Sequence, residues 1–299
     1  MTPAGTATLG SDDPRRCPLC HAPLESGLAP WHRRCPRCRH EVSTLGPALE
    51  EGSDRLDEGL RAMGLGALRR GDFARLLARI IRHRPDGRLL DVGSAHGWFL
   101  EMAAGTYAVS GIEPDRGMVR RAESRQWQVV SGYFPADLPV GFTTDILTFN
   151  DVFEHLPDPE TTLAACREVI SPNGLLVLNL PTSDGIFYQV GRWLARLGIR
   201  APFDRLWQKD LPSPHLHYFR AANLCRLLSR SGFEVLEIGT LPSLTRDGLR
   251  ERIAYAGGFG RAGRMLVFLG AMAALPLLRI APGDIVYLIA RHRPNSSHG

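Results

Sequence analysis

Four of the six cysteines form two CPxC pairs, Cys17 with Cys20 and Cys35 with Cys38. Two turns that each present two thiolates can close a tetrahedral shell of four sulfurs around one metal ion. Zinc suits this shell because it has no redox chemistry, and a full shell leaves no position for a substrate. The spacing therefore predicts a structural Zn²⁺ site in a zinc ribbon over residues 17–45. Two disulfides are the alternative, which a chain without an export signal disfavours.

A glycine turn between a buried strand and a helix is the second chemical motif. The strand ends at Asp91, and Gly93 and Gly97 let backbone N–H groups approach a ligand with no Cβ in the way. The next strand ends in GIEPD, where the carboxylate of Glu113 could accept both hydroxyls of an adenosine ribose. Together they favour a nucleoside-containing cofactor over an ordinary turn beside a surface acid.

Titratable side chains follow a predicted strand in the stretch DVFEH, which contains Asp151, Glu154 and His155. Their i, i+3, i+4 spacing places them on one side of a helical turn. There they could remove a proton from an acceptor or hold a divalent cation, or simply cap a helix. His215 and His217 lie in a later loop and offer further imidazole bases. We expect His155, Glu154 and His217 to be the catalytic groups, with His155 preferred to His217.

The elements that must position these residues alternate between apolar strands and helical stretches. A helix with apolar residues at helical spacing from Phe73 to Ile81 comes first and ends at Pro85. This order predicts an α/β, Rossmann-like fold, with a seven-stranded, mostly parallel sheet and helices on both faces. The predicted strands are 88–92, 107–112, 128–131, 145–149, 175–180, 233–238 and 285–291.

The domain organisation follows from these elements and from glycine-rich or polar stretches between them. We predict a small four-cysteine zinc ribbon ahead of one α/β domain, with no internal repeat. The predicted segments are a disordered tail at 1–16, the ribbon at 17–45, a linker at 46–70, the α/β domain at 71–292 with an apolar and basic insertion at 241–283, and a tail at 293–299.

Charge and hydrophobicity exclude several classes of protein. A hydrophobic content of 44% excludes a mainly disordered chain. The net charge of +5 comes entirely from residues 246–299, where eight arginines face three acidic residues. The first 245 residues are neutral in sum, so nucleic acid is disfavoured as a partner. Neither a secretory signal nor a membrane-spanning run is present, which indicates a cytoplasmic protein.

The insertion contains the apolar run MLVFLGAMAALPLL between Arg264 and Arg279. As a helix this run is too short to cross a bilayer, and Pro276 interrupts it. With its flanking arginines it could lie on a membrane surface or receive a lipid-like acceptor. We therefore expect peripheral membrane contact through 259–283, with a buried helix or a dimer contact as the alternative.

The chain resembles the class I S-adenosylmethionine-dependent methyltransferases, in the branch that includes ubiquinone-biosynthesis O-methyltransferases and many sugar and natural-product methyltransferases. The resemblance covers about residues 70–292. One position departs from the family, because Ala95 replaces the middle glycine of its turn. The motifs that carry it are LLDVGSAHGWFL, GIEPD, DILTFNDVFEHLPDP, EVISPNGLLVLNLPT and HLHYFRAANLCRLLSRSGFEV.

The resemblance implies an S-adenosylmethionine cofactor and a set of residues around it. The glycine turn would line the methionine and ribose, Glu113 would hold the ribose, and Tyr133 would flank the adenine. The acid-x-x-Glu-His positions of ubiquinone-type relatives look able to hold a divalent cation, so Mg²⁺ at Asp151, Glu154 and His155 is the alternative to a base. The cofactor residues implied are Asp91, Gly93, Ser94, Ala95, Gly97, Glu113, Tyr133, Asn150 and Asp151.

The expected reaction is methyl transfer to a hydroxyl oxygen of a small-molecule, sugar or lipid-linked acceptor. The sequence leaves the oligomeric state open. One alternative is an rRNA guanine N-methyltransferase, because CPLCHAPL also resembles the zinc module of such a family. The other is a non-catalytic scaffold that binds the cofactor, for which Ala95 is the support.

Overall fold

Strands and helices alternate along the chain as its hydrophobic pattern requires. The computed structural model describes residues 13–46, 58–242, 244, 249–250, 253, 260–278 and 280–293. The strands are β1 (Glu25–Ser26), β2 (His32–Arg34), β3 (Glu41–Ser43), β4 (Arg88–Val92), β5 (Ala108–Glu113), β6 (Gln128–Ser131), β7 (Thr144–Asn150), β8 (Ile170–Pro181), β9 (His217–Tyr218), β10 (Phe233–Leu241) and β11 (Ile285–His292). The helices are α1 (Glu58–His83), α2 (Trp98–Ala103), α3 (Arg116–Glu123), α4 (Pro159–Val169), α5 (Ile186–Arg196), α6 (Ala201–Leu206), α7 (Ala221–Arg230) and α8 (Arg261–Leu278), and a 3-10 turn spans Phe153–His155.

A seven-stranded sheet has the order β10-β11-β8-β7-β4-β5-β6. Only β11 runs antiparallel to its neighbours, β10 and β8, and the other pairs in the sheet are parallel. Each predicted strand overlaps an observed one. The predicted fold, a Rossmann-like and mostly parallel sheet, is therefore confirmed.

Alternate residues along the strands point to opposite faces of this sheet. Leu90 and Leu147 enter the core on the side of α4 and α7, whereas Leu89 and Ile146 enter the core on the side of α1 and α2. Full burial of such a side chain contributes about 1.5–3 kcal/mol. The two cores hold helices on both faces and fix the carboxyl ends of β4, β5 and β7 along one edge.

Helix α1 begins at Glu58, so residues 58–70 are helical and are not the linker that the sequence predicted. Their glycines lower helix propensity by about 1 kcal/mol each relative to alanine. The apolar face of the same helix, from Phe73 to Ile80, is buried on the sheet and outweighs that cost. Residues 47–57 of the predicted linker, 1–12 of the first tail and 294–299 of the last lie outside the described residues.

The ribbon shares a sheet with the α/β domain. Strand β2 pairs antiparallel with β1 on one side and with β3 on the other. Strand β9 adds a fourth strand at the free edge of β3. In addition, the Ser43 amide donates to the Leu216 carbonyl at 2.9 Å, and the Ser43 hydroxyl donates to the His215 carbonyl at 2.7 Å. The ribbon is therefore part of the α/β domain's own fold.

A buried carboxylate reinforces this contact. Glu41 is 1% exposed, and its Oε2 lies 2.8 Å from Nε2 of His32 and accepts the Tyr188 hydroxyl at 2.7 Å. Nη1 of Arg192, on α5, lies 3.5 Å from the other oxygen. Although burial by itself raises the pKa of Glu41, the hydrogen bonds from His32 and Tyr188 hold it below its ordinary value. Glu41 thus remains charged at the junction.

Aromatic rings fill the same junction. The Trp31 ring stacks on Phe203 with centroids 5.9 Å apart and contacts the edge of Trp207 at 5.6 Å. Trp207 and Tyr218 are buried in the same cluster. Because the ribbon is too small to have a core of its own, these rings supply one.

Helix α8 lies within the predicted insertion, and none of its described side chains is buried; Met265, Leu266 and Leu269 are exposed. It is therefore not the buried helix that the sequence left as an alternative. None of the helices among the described residues is long and apolar enough to span a membrane.

We predict that Glu41→Ala destabilises the whole domain. The change leaves His32, Tyr188 and Arg192 without their common partner, and removing one member of a buried ion pair costs about 3–5 kcal/mol. Denaturant unfolding followed by far-ultraviolet circular dichroism, which reports the helices of the α/β domain, measures this cost. The control Glu25→Ala removes an exposed carboxylate from β1 and should leave the midpoint unchanged. Equal midpoints for the two variants would contradict the shared fold.

Candidate functional site

Two adjoining cavities, of about 430 and 660 Å³, lie at the carboxyl ends of β4, β5 and β7. This edge of a parallel sheet is where ligands of such folds bind. The smaller cavity contains the glycine turn, and the larger contains His155 and His215. The residues that line both are Arg69, Gly93, Glu113, Asp151, Val152 and Ser213.

Glu113 ends β5 and is held by two backbone amides. Its Oε2 accepts the Ala95 amide and its Oε1 accepts the Asp115 amide, each at 2.9 Å. Burial raises the pKa of Glu113, and these two amides counteract the effect. An ionised carboxylate has about four lone-pair sites, so both oxygens can still accept a ligand hydroxyl.

The glycine turn is shaped by close contacts that exclude larger residues. Gly93 has φ 68°, and a Cβ there would lie 2.6 Å from Cγ2 of Val152. Gly97 has φ 69°, and a Cβ there would overlap the ring of Trp127. Ser94, between them, is 6% exposed, and its Oγ has no hydrogen-bond partner among the described residues. The open cradle and this orphaned hydroxyl fit a bound polar cofactor.

Ala95 occupies the position where the family has its middle glycine, and its φ is 42°. This left-handed conformation costs an L-residue about 1–2 kcal/mol because Cβ approaches the following carbonyl. The residue is exposed, so the strain is local.

Asp91 and Asn150 support the floor of the smaller cavity. Oδ1 of Asp91 accepts the Thr148 hydroxyl at 2.6 Å and the Asn150 side-chain amide at 2.9 Å. Burial raises the pKa of Asp91 to about 7. Tyr133, in contrast, lies at the rim of the larger cavity and is 70% exposed.

Asp151 does not join Glu154 and His155 as the spacing predicted. It has φ 55°, which interrupts the helical turn, and its carboxylate pairs with the Arg69 guanidinium. Arg69 lies on α1, within the segment predicted as a linker, so the sequence did not identify it. The predicted Mg²⁺ ligand set of three neighbouring side chains therefore does not form.

His215 takes the place expected for Asp151. One ligand atom each from Glu154, His155 and His215 lie within 4.8 Å of one another. Glu154 is completely buried, and neither carboxyl oxygen has a hydrogen-bond partner among the described residues. Burial raises the pKa of Glu154 well above its ordinary value and lowers that of His215 well below its own. Two imidazoles with one carboxylate suit zinc, iron or nickel better than Mg²⁺.

His155 is held in an orientation that suits a base. Its Nδ1 lies 2.9 Å from the Pro214 carbonyl, which can only accept, so Nδ1 carries the proton. The lone pair is then on Nε2, which lies 3.8 Å from Oε1 of Glu154.

His217, the other predicted catalytic histidine, does not line either of these cavities. It is completely buried in β9, with Nδ1 3.1 Å from Nε2 of His40 in the ribbon. Burial lowers its pKa to about 4. The structure therefore gives His217 a structural place and puts His215 in the cavity instead.

The four ribbon cysteines have the arrangement of a metal site. Sγ of Cys17 lies 3.5 Å from that of Cys38, and Sγ of Cys20 lies 3.4 Å from that of Cys35, with no disulfide. Four sulfurs in a tetrahedron around zinc lie about 3.8 Å apart, because each Zn–S bond is about 2.3 Å. The Leu19 amide also donates to Cys17 Sγ at 3.4 Å. The donor set fits a structural Zn²⁺ that stabilises the ribbon.

We expect Ala95→Gly to raise the free energy of unfolding by about 0.5–1 kcal/mol, since glycine relieves the left-handed strain but adds backbone entropy. Ala104→Gly is the matched control, because Ala104 is exposed with φ −60° and should lose stability. Thermal unfolding of both variants measures the difference. A destabilised Ala95→Gly variant would show that the turn needs the methyl group.

Elemental analysis of the purified protein should give one zinc per chain, held by the four ribbon cysteines. Cys35→Ser should lower this to below one because a thiolate ligand is lost. Cys225→Ser, which changes a cysteine of α7, should retain the metal. A parent protein without zinc, or a Cys35→Ser variant with undiminished zinc, would contradict the ribbon site.

A sequence profile described as a methyltransferase domain matches residues 65–238, more than half of the chain. The ubiquinone biosynthesis O-methyltransferase of Thiobacillus denitrificans is 27% identical over 165 residues, which cover 50% of this chain and 66% of that protein. The C-methyltransferase NovU of Streptomyces niveus is 25% identical over 163 residues, covering 52% of this chain and 35% of NovU. The chain thus spans about two thirds of the first relative and one third of the second.

Solved structures support the same fold. One is a Haloferax volcanii complex of the Trm112 methyltransferase activator with a methyltransferase, which matches with a TM-score of 0.58 at 17% identity. The match covers 82% of this chain and 99% of the matched chain. A Thermotoga maritima S-adenosylmethionine-dependent methyltransferase has a TM-score of 0.53 at 15% identity, with 81% and 97% covered. The fold, the glycine turn with Glu113 and the profile match agree: the chain belongs to the methyltransferase-domain family and is a class I S-adenosylmethionine-dependent methyltransferase.

Proposed function

We propose that this protein methylates a hydroxyl oxygen of a small-molecule, sugar or lipid-linked acceptor. The observation that carries the proposal is the adjoining pair of cavities, one at the glycine turn and one at His155, with a shared wall. When bound, S-adenosylmethionine supplies an electrophilic methyl group on a sulfonium. The chain's residues then have to hold the cofactor, orient the acceptor and remove its proton.

Holding the cofactor is the role of the residues at the sheet edge. Glu113 binds the ribose hydroxyls through oxygens that its two amide donors have already oriented. The backbone at Gly93, Ser94 and Ala95 lines the methionine and ribose portion in the smaller cavity. The adenine extends past Glu113 to the rim of the larger cavity, where Tyr133 covers it. Asp91, Asn150 and Asp151 fix the strand ends beneath it.

His155 removes the acceptor proton through Nε2. The Pro214 carbonyl fixes the tautomer in which this nitrogen is unprotonated. Glu154 and His215 border the same space, and burial favours the uncharged form of both. They position the acceptor oxygen by hydrogen bonding without competing for its proton.

Aromatic and apolar side chains form much of the acceptor wall. This surface suits a phenol, a sugar face or an isoprenoid chain, and polar groups at one end would select the hydroxyl to be methylated. The wall includes Phe134, Leu156, Phe187, Tyr188, Leu206 and Tyr218.

Membrane contact through 259–283 fits a lipid-linked acceptor. Exposed Met265, Leu266 and Leu269 on α8 are followed along the chain by Asp284 and Ile285, which line the acceptor cavity. An apolar helix whose sequence is flanked by arginines favours the surface of an anionic bilayer.

Other reactions compete with this proposal. Carbon methylation is the nearest, because NovU is a C-methyltransferase. An rRNA substrate is disfavoured by the neutral first 245 residues. A non-catalytic scaffold was suggested by Ala95 in place of a glycine. It is disfavoured because Ala95 is exposed and its backbone amide still donates to Glu113.

Glu113→Ala should weaken S-adenosylhomocysteine binding by about 1.5–3 kcal/mol, the range for hydrogen bonds to a charged group. Calorimetric titration measures the effect. Glu123→Ala, which removes an exposed carboxylate from α3, should bind like the parent. Glu113→Gln is a second control, for the position of the loop at Ala95, because the glutamine side-chain oxygen can still accept a hydrogen bond from a backbone amide. Unchanged affinity in Glu113→Ala would remove the ribose assignment.

His155→Ala should slow methyl transfer by about 10²- to 10⁴-fold, because the acceptor proton then has no general base. Labelled methyl transfer to a screen of phenols, sugars and polyprenyl intermediates provides the assay. His21→Ala, an exposed ribbon histidine, is the control.

Metal content separates a base from a metal ligand. With a base, the parent holds zinc only in the ribbon, and Glu154→Ala leaves the metal content unchanged. A second metal ion per chain that is lost in Glu154→Ala would replace the base by a metal site. An effect of His155→Ala below about threefold would exclude both roles.

A further inference from the structure

A third cavity, of about 300 Å³, lies between the ribbon and the α/β domain and has no assigned ligand. Every side chain around it is polar or charged, unlike the acceptor cavity. Its lining consists of Arg34, Arg39, Glu41, Ser183, Asp184, Gln189, Arg192 and Arg220.

Positive charge is in excess in this cavity, since four guanidinium groups face two carboxylates. One oxygen of Glu41 serves two of them, with Nε of Arg34 at 4.0 Å and Nη1 of Arg192 at 3.5 Å. The Arg220 Nε donates to Asp184 at 2.6 Å. About two positive charges therefore remain without a matching negative charge, and a bound anion would lower the electrostatic energy of the cavity.

One guanidinium group has no acceptor among the described residues, and a second is paired only at 4.0 Å. The exposed Arg39 side chain makes no ion pair or hydrogen bond with the described residues, and its backbone amide donates to the Cys35 carbonyl at 3.0 Å. The buried Nε of Arg34 likewise has no hydrogen-bond partner there. The cavity therefore has guanidinium N–H groups that a ligand with several oxygens could satisfy.

We propose that this cavity binds a phosphate or diphosphate group. The planar guanidinium fork matches two oxygens of a phosphoryl group, and the site presents four forks, two from the ribbon and two from the α/β domain. Such an anion joins the two parts across their junction, so its binding stabilises the docked ribbon. The site is separate from the cofactor cavity, so anion binding and cofactor binding are independently measurable.

Calorimetric titration of the full-length protein with pyrophosphate and with inorganic phosphate, at constant ionic strength, tests the proposal. Pyrophosphate should bind with a Kd of about 1 mM or tighter. Arg39→Ala should weaken binding at least about tenfold. Arg39→Lys should recover part of it. Arg37→Ala, an exposed arginine two residues away that does not line the cavity, should bind like the parent. Arg220→Ala probes the opposite wall independently.

Absence of pyrophosphate binding, or equal losses in Arg37→Ala and Arg39→Ala, would overturn the site. Competition by a sugar phosphate or a polyprenyl phosphate would show that the anion belongs to a larger ligand, and binding of inorganic anions alone would assign free phosphate. S-adenosylhomocysteine titration of Arg39→Ala should match the parent, so failure of this site is distinguishable from failure of the methyltransferase assignment.

Discussion

The pairing of β3 with β9 is the constraint on which the site depends. Segment 215–218 lies between the ribbon on one side and the turn that contains Glu154 on the other. The Leu216 carbonyl accepts from Ser43, and the Leu216 amide donates to the Glu154 carbonyl, both at 2.9 Å. A displacement of β3 would therefore move His215 and Glu154 together. The ribbon acts on the acceptor cavity through main-chain hydrogen bonds, without lining that cavity itself.

This arrangement also accounts for the unusual chemistry at the junction. A ribbon of this size cannot bury enough apolar surface to fold alone, so it depends on the rings of the α/β domain, and the zinc ion that its four cysteines fit would add to that stability. A charged group such as Glu41 is tolerated there because histidine, tyrosine and arginine side chains all satisfy it. The arginines around the neighbouring cavity extend the same junction toward solvent, where a phosphate group can bind.

Local pattern was sufficient to predict the strands, the glycine turn and Glu113, because each of these is recognised from residues close in sequence. The positions that the sequence did not determine depend on distant contacts. The glycines of α1 suggested a linker and concealed Arg69, since packing on the sheet outweighed local propensity. The left-handed Asp151 broke the expected i, i+3, i+4 spacing. Of two histidines two residues apart, His217 faces the ribbon and His215 faces the cavity, a choice made by the docking of β3.

Hydrogen exchange resolved to single amides tests most directly whether the ribbon holds segment 215–218 in place. In the parent, the amides of Ser43 and Leu216 should be protected nearly as well as those of β4 in the central sheet. In Cys35→Ser, which loosens the ribbon, Leu216 and His217 should exchange much faster while β4 stays protected. Unchanged protection of Leu216 in that variant would contradict the account, because the acceptor site would then be held without the ribbon.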